Sequence, residues 1–182
     1  MRYSLPKSVE LGGKEYAIRS DYREILDILE MLADPELDSA DKAEAVMEMF
    51  YPDYENIPYM EYENAVRQCI FFINCGEEEC RDEKRPKLMD WQQDFPTIAS
   101  PINRVLGTEI RSLEYLHWWT FIAAYQEIGD CTFAQVVSIR KKKSKNQKLD
   151  KSDQEFYKQN KHLVDFKRKY TEEDDDIISR WV

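Results

Sequence analysis

Glycine is scarce in this chain, with five residues in 182, and only seven prolines and two histidines accompany it. Few glycines leave few sharp turns, and the long polar–apolar periodic segments between them favour a helical protein. The scarcity also removes a glycine-rich phosphate loop. Glu10-Leu-Gly-Gly-Lys14 lacks both the spacing and the Ser/Thr of a Walker motif. Long apolar runs are missing as well. The stretches near Cys69–Ile73 and Leu116–Tyr125 are too short or too interrupted to span a bilayer. The opening segment, Met1-Arg-Tyr-Ser-Leu-Pro-Lys7, has no apolar h-region. We therefore expect no membrane association and a cytosolic location, where Cys69, Cys75, Cys80 and Cys131 stay reduced.

Catalytic and metal signatures are absent too. Cys75 and Cys80 flank one glycine and three glutamates, with Cys69 upstream. Zinc sites usually pair cysteines two to four residues apart and need four N/S ligands. The nearest histidine is His117, so neither metal nor cofactor is expected. His117 itself has no neighbouring nucleophile or orienting carboxylate signature, and a general base needs such partners. A helical histidine among aromatics reads as a core residue bonded to a backbone carbonyl or carboxylate. Glu109 with Glu114, or the three glutamates at 77–79, are carboxylates on helix faces unless a cleft unites them. The chain is not expected to be an enzyme.

What is present is apolar and unevenly charged. Hydrophobic residues make up 42% and aromatics 13%, enough to build a core. The net charge of −10 is split along the chain. Residues 1–139 carry 13 basic and 27 acidic residues, residues 140–170 carry 12 and 4, and residues 171–182 carry one and five. A body this acidic repels phosphate, so nucleic-acid binding would rest on the basic segment 140–151 alone. That segment has no interleaved aromatics for base stacking.

The pattern predicts a mainly α fold: a compact multi-helix bundle with a short N-terminal β-hairpin. Gly12-Gly13 between two alternating runs is a hairpin signal over residues 1–20. A helical domain follows over 21–170, then an acidic tail over 171–182. Asp21 with Glu24 caps a first helix; Ser39 caps a second, with Ala43, Val46, Met47 and Phe50 at helical spacing; a third runs from Pro58 to Asn74. Asp90 caps a helix interrupted by Pro96 and Pro101, which predict a kink or two short helices. A long helix over Glu109–Ile128, apolar nearly all round, is expected to be the most buried element. Thr132 caps a short helix, and Lys141–Lys148 is then a solvated, mobile basic run. Ser152 with Glu155 forms a capping box for the last helix. The expected core is Trp91, Leu113, Leu116, His117, Trp119 and Phe121. The candidate partner-binding residues are Arg140, Lys141, Lys142, Lys143, Lys145 and Lys148, offered to an acidic surface such as the Glu172–Asp176 tail of another copy.

Several segments carry a family resemblance. They are Met89-Asp-Trp-Gln-Gln-Asp94, Asn103-Arg-Val-Leu-Gly-Thr-Glu-Ile-Arg111, Leu113-Glu-Tyr-Leu-His-Trp-Trp-Thr-Phe121, Glu127-Ile-Gly-Asp-Cys-Thr-Phe133, Val136-Val-Ser-Ile-Arg140, Lys148-Leu-Asp-Lys151 and Glu155-Phe-Tyr157. Over about residues 20–170 the chain resembles the bacteriophage family named for gene product fifteen. Its members are encoded in the tail-gene region of phages and prophages of Gram-positive bacteria, near the major tail protein and the tape-measure gene. The resemblance implies a small helical protein of tail morphogenesis, by analogy a chaperone that coats the tape-measure protein. It implies tail proteins as partners, with homo-oligomers as a further option, and residence in the host cytoplasm. The alternatives are a structural tail or connector component kept in the virion and a regulatory nucleic-acid binder using residues 140–151.

Overall fold

In the computed structural model, residues 4–78 and 86–167 are described. They form eight α-helices and one two-stranded antiparallel sheet. The chain divides into two compact units: Met1–Asp82 with Leu113–Ile122, and Glu83–Ser112 with Ala123–Val182.

The first unit begins with β1 (Ser8–Leu11) and β2 (Lys14–Ala17), paired from Ser8↔Ala17 to Leu11↔Lys14. The two-residue turn between them needs positive φ at both positions, and Gly12 (56°) and Gly13 (79°) supply it. Helix α1 (Tyr22–Leu32) starts at a full capping box made by Asp21 and Glu24. Helix α2 (Ser39–Phe50) is capped by Asp38, one residue before the Ser39 expected from sequence. Two 3₁₀ turns, Tyr54–Asn56 and Tyr59–Glu61, lead into α3 (Tyr62–Ile73). The core joins Ile25, Ile28 and Leu29 of α1, Val46, Met47 and Phe50 of α2, and Cys69 and Phe72 of α3, all at 2% exposure or less.

The returning segment completes this core. Tyr22 stacks on Phe121 with centroids 4.8 Å apart, and Phe121 stacks on Trp118 at 5.6 Å. No long helix covers Glu109–Ile128, which corrects the expectation from sequence. Ile110–Ser112 is a 3₁₀ turn, the chain then runs extended, and α5 spans only Trp118–Gln126. The cause is long-range pairing. Tyr22 N–H donates to Leu116 O (2.9 Å) and Trp118 N–H to Ser20 O (2.8 Å), a bridge between Asp21 and His117 that a helix there could not make.

In the second unit, α4 (Trp91–Leu106) is capped by Asp90 and continues through Pro96 and Pro101 as one element, not two. Gly107 follows it at φ 70°, the left-handed conformation that commonly stops a helix. Helix α6 (Thr132–Ser144) is preceded by Cys131, so Thr132 is its first residue and not its cap; α7 (Lys151–Gln159) is capped by Asp150 rather than Ser152, and α8 spans Lys161–Val164. Trp91, Tyr125 and Phe133 meet at tilted angles, with ring centroids 5.2 and 6.0 Å apart. Val136, Ile139 and Val164 form a second apolar cluster covered by Leu149, Phe156, Tyr157 and Leu163. The expected acidic tail at 171–182 lies outside the described residues. No described helix is long and apolar enough to cross a membrane.

Candidate partner-binding groove

Helix α3 is amphipathic, but its outer face is not uniformly polar. Ala65, Cys69, Phe72 and Ile73 point into the core. Tyr62, Val66 and Ile70 recur four residues apart on another face, half-buried, with Phe71 beside them at 40% exposure. Opposite them, α2 presents Ala40 and Ala43, side chains too short to fill the space. The result is an open groove of about 790 Å³, floored by Ala43, Met47 and Val66 and walled by Tyr54, Tyr59 and Tyr62. At its entrance Tyr59 is 87% exposed and Met60 is 84% exposed. Such paired exposure of large apolar side chains beside a concave apolar surface marks an interaction site more often than a lone exposed residue does. A second hollow of about 710 Å³ lies along α3, lined by Arg67, Ile70, Phe71 and Asn74, and the two share Glu63 and Val66.

Carboxylates rim this surface. Glu44 and Glu63 line the groove, Glu77 and Glu78 line the hollow, and Glu48 Oε1 accepts from the Tyr54 hydroxyl at 3.4 Å. The Glu48 charge raises the Tyr54 phenol above its ordinary pKa. Arg67 is the one cation lining either space among the described residues, and it pairs with Glu63 at 3.1 Å. The first unit as a whole carries 8 Lys/Arg and 21 Asp/Glu, net −13, against 18 and 15, net +3, for the second.

The residues singled out from sequence lie elsewhere. Arg140 is not part of a basic surface. It is buried, and all five of its N–H groups are used: Nε to Val164 O, Nη1 to Leu88 O and Asp94 Oδ2, Nη2 to Asp94 Oδ1 and Leu163 O. Lys142 bonds Asp153 and pairs with Asp150, and Lys143 bonds Asp165 and Tyr157. Lys141, Lys145 and Lys148 are exposed. The expected solvated run is helical through Ser144 as the last turn of α6, where Lys142 and Lys143 hold these partners. Burial removes Arg140 from the patch that nucleic-acid binding would need, and carboxylates partly neutralise Lys142 and Lys143 there.

Of the expected core, Trp91, Leu116, His117 and Phe121 are buried, whereas Leu113 and Trp119 are only half-buried. The neighbouring Trp118, at 0% exposure, takes the central place and donates Nε1–H to Ile73 O at 2.9 Å. His117 Nε2 lies 2.8 Å from Pro6 O, and its Nδ1 accepts from Trp119 N–H at 3.0 Å, so the ring caps the start of α5. Burial lowers its pKa, the Lys7 charge adds to that, and the bond to Pro6 opposes both. Burial raises the thiols of Cys69 and Cys75, the latter to about 12, so neither is an activated nucleophile. Among the described residues no three His, Cys, Asp or Glu side chains gather as a metal site.

The third helix expected over Pro58–Asn74 takes in Met60, and the groove is not among the expectations from sequence. A signal was there: by helical spacing Met60 falls on the side opposite the Ala65–Cys69–Phe72 stripe, out of register with the core.

Comparison with known families now bears on these features. The profile of the bacteriophage Gp15 protein family matches residues 1–166. The chain belongs to that family. The match takes in both units and the segments quoted above, so this is a phage-related protein. Searches of curated proteins and of solved structures each found no significant match.

Proposed function

We propose that this Gp15-family protein is a non-enzymatic tail morphogenesis factor, a chaperone that holds helical segments of the tape-measure protein while the tail tube is built. The open apolar groove between α2 and α3, with Tyr59 and Met60 at its mouth, carries this reading. A tape measure is a long helical chain with recurring apolar faces that aggregate when bare. A helix laid into an apolar groove hides such a face, and the net negative charge of the carrier keeps the complex soluble. The tail assignment comes from the genomic position that the family resemblance implies.

The test is co-expression with the tape-measure protein of the same phage. The tape measure should be soluble and co-purify only when the chain is present, and mass spectrometry of purified virions should lack the chain. Its presence in virions at a fixed copy number would favour a structural tail component instead.

A further inference from the structure

We infer that the α2–α3 groove selects by charge: its occupant is an amphipathic helix whose apolar stripe is bracketed by lysine or arginine. The inference rests on the helix-binding reading above and adds the chemical sign of the partner. From Tyr62 to Phe71 the outer face of α3 spans roughly 14 Å, about two and a half helical turns, which suits a helix presenting apolar residues at i, i+3, i+4 and i+7. Two alanines on α2 keep the groove open where longer side chains would close it.

Among the described residues, every charged group lining the groove itself is a carboxylate, Glu44 or Glu63, and more carboxylates continue at Glu77 and Glu78. The single lining cation among the described residues, Arg67, is already paired with Glu63. A helix with acidic flanks would set like charges against this rim inside a unit of net −13. One with basic flanks would meet complementary charges on both sides of its apolar stripe.

A second copy of this chain is a poor occupant. The basic helices of its other unit have already spent their apolar residues: Val136 and Ile139 of α6 are packed against Val164, and Phe156 and Tyr157 of α7 cover the same cluster. Their exposed faces offer Lys141, Lys145 and Lys158 without a stripe to bury.

The experiment uses the full chain and four synthetic helical peptides of about 18 residues, roughly five turns. Three share one leucine stripe and carry Lys, Gln or Glu on the flanks. The fourth has the Lys composition with the stripe scrambled. Binding is read by fluorescence anisotropy at low and high salt. The Lys-flanked peptide should bind tightest, by roughly tenfold over the Gln peptide at low salt, and the margin should shrink as salt screens the rim. The scrambled peptide should not bind. Glu44→Gln with Glu63→Gln should erase the margin, while Tyr59→Ser with Met60→Ser should abolish binding of every peptide.

Equal binding of the Lys and Gln peptides, or tighter binding of the Glu peptide, overturns charge selection and leaves the apolar groove standing. No binding by any peptide, or binding indifferent to Tyr59 and Met60, overturns both readings. If sedimentation shows a dimer that Tyr59→Ser with Met60→Ser dissolves, a second copy fills the groove and the inference fails.

Discussion

Arg140 and Asp94 form a bidentate ion pair, at 2.6 and 2.9 Å, in which each side chain is 3% exposed. The pair joins α6 to the first turn of α4. Asp94 Oδ2 also accepts from Asp90 N–H at 2.9 Å, and the guanidinium lies 4.1 Å over the Phe166 ring. Its remaining N–H groups reach the carbonyls of Leu88, Leu163 and Val164, so one side chain fastens two stretches of backbone.

Removing one partner strands the other charge in the interior. Asp94→Leu or Arg140→Met should each cost about 3–5 kcal/mol in urea unfolding. The double variant Asp94→Leu with Arg140→Met should cost clearly less than the sum of the two, because no lone charge remains. It should stay below wild type, since three carbonyls lose their donor. Additive losses would show that the pair is not coupled.

The two adjacent tryptophans should behave differently. Trp118 is fully buried between Phe121 and α3, so Trp118→Ala should cost about 3–5 kcal/mol. Trp119 is half-buried. It donates Nε1–H to Phe72 O at 2.9 Å and leans on Gly76, so Trp119→Ala should lose measurably less. Chemical denaturation of the two variants side by side checks the order, and a larger loss at Trp119 would contradict the packing described here.

That pair also shows where sequence stops being legible. The local signals were readable: the Gly12-Gly13 hairpin, the Asp21–Glu24 box, the Asp90 cap and the Gly107 stop all depend on neighbours a few residues apart. Residues 113–117 depend on a bridge to Asp21 nearly a hundred positions away, and no local periodicity announces it. Once α5 starts at Trp118 rather than near Glu109, its faces rotate, and Trp118 replaces Trp119 inside. Arg140 misled for a related reason. In a run of lysines it looks like surface charge, and only the fold brings Asp94 to it. The groove was hidden because concavity arises from α2 and α3 together.

His117 makes the start of α5 sensitive to acid. With Nδ1 accepting from Trp119 and Nε2–H facing Pro6 O, the neutral ring fits and the imidazolium would set N–H against N–H. Its folded pKa lies below the ordinary value of about 6.5. The unfolded chain therefore binds a proton the folded chain does not. This contribution is complete above the unfolded value and is lost as pH falls below it toward the folded value. Urea midpoints should drop between about pH 7 and pH 5 in wild type. His117→Asn should be less stable at pH 7 but flatter across that window, and His162→Gln, an exposed control, should keep the wild-type slope.

Within the basic segment, stability should follow the partners. Lys141→Gln, Lys145→Gln and Lys148→Gln together should change stability by no more than about 0.5 kcal/mol, as exposed sites usually do. Lys142→Gln and Lys143→Gln should lower the melting temperature, because they release Asp153 and Asp165. Wild-type affinity for DNA or RNA at physiological salt should be weak. Micromolar binding lost on replacing Lys141, Lys145 and Lys148 would restore the nucleic-acid reading.

Tyr59 and Met60 provide the sharpest separation of folding from function. Both project almost wholly into solvent, at 87% and 84% exposure, from a 3₁₀ turn with no buried residues. Tyr59→Ser with Met60→Ser should therefore unfold at nearly the wild-type urea concentration, within about 0.5 kcal/mol. The Tyr59–Tyr62 ring contact, 5.3 Å between centroids, is the only packing the change removes at Tyr59 among the described ring contacts, and it is itself solvated. In a phage carrying this double variant, the tape measure should fall into the insoluble fraction, and tailless particles should accumulate while the chain itself stays folded. Replacing Val105, an apolar side chain 39% exposed on α4, with Ser provides the matched control and should leave tails intact. Normal tails from the Tyr59–Met60 variant would place the working surface somewhere other than the groove between α2 and α3.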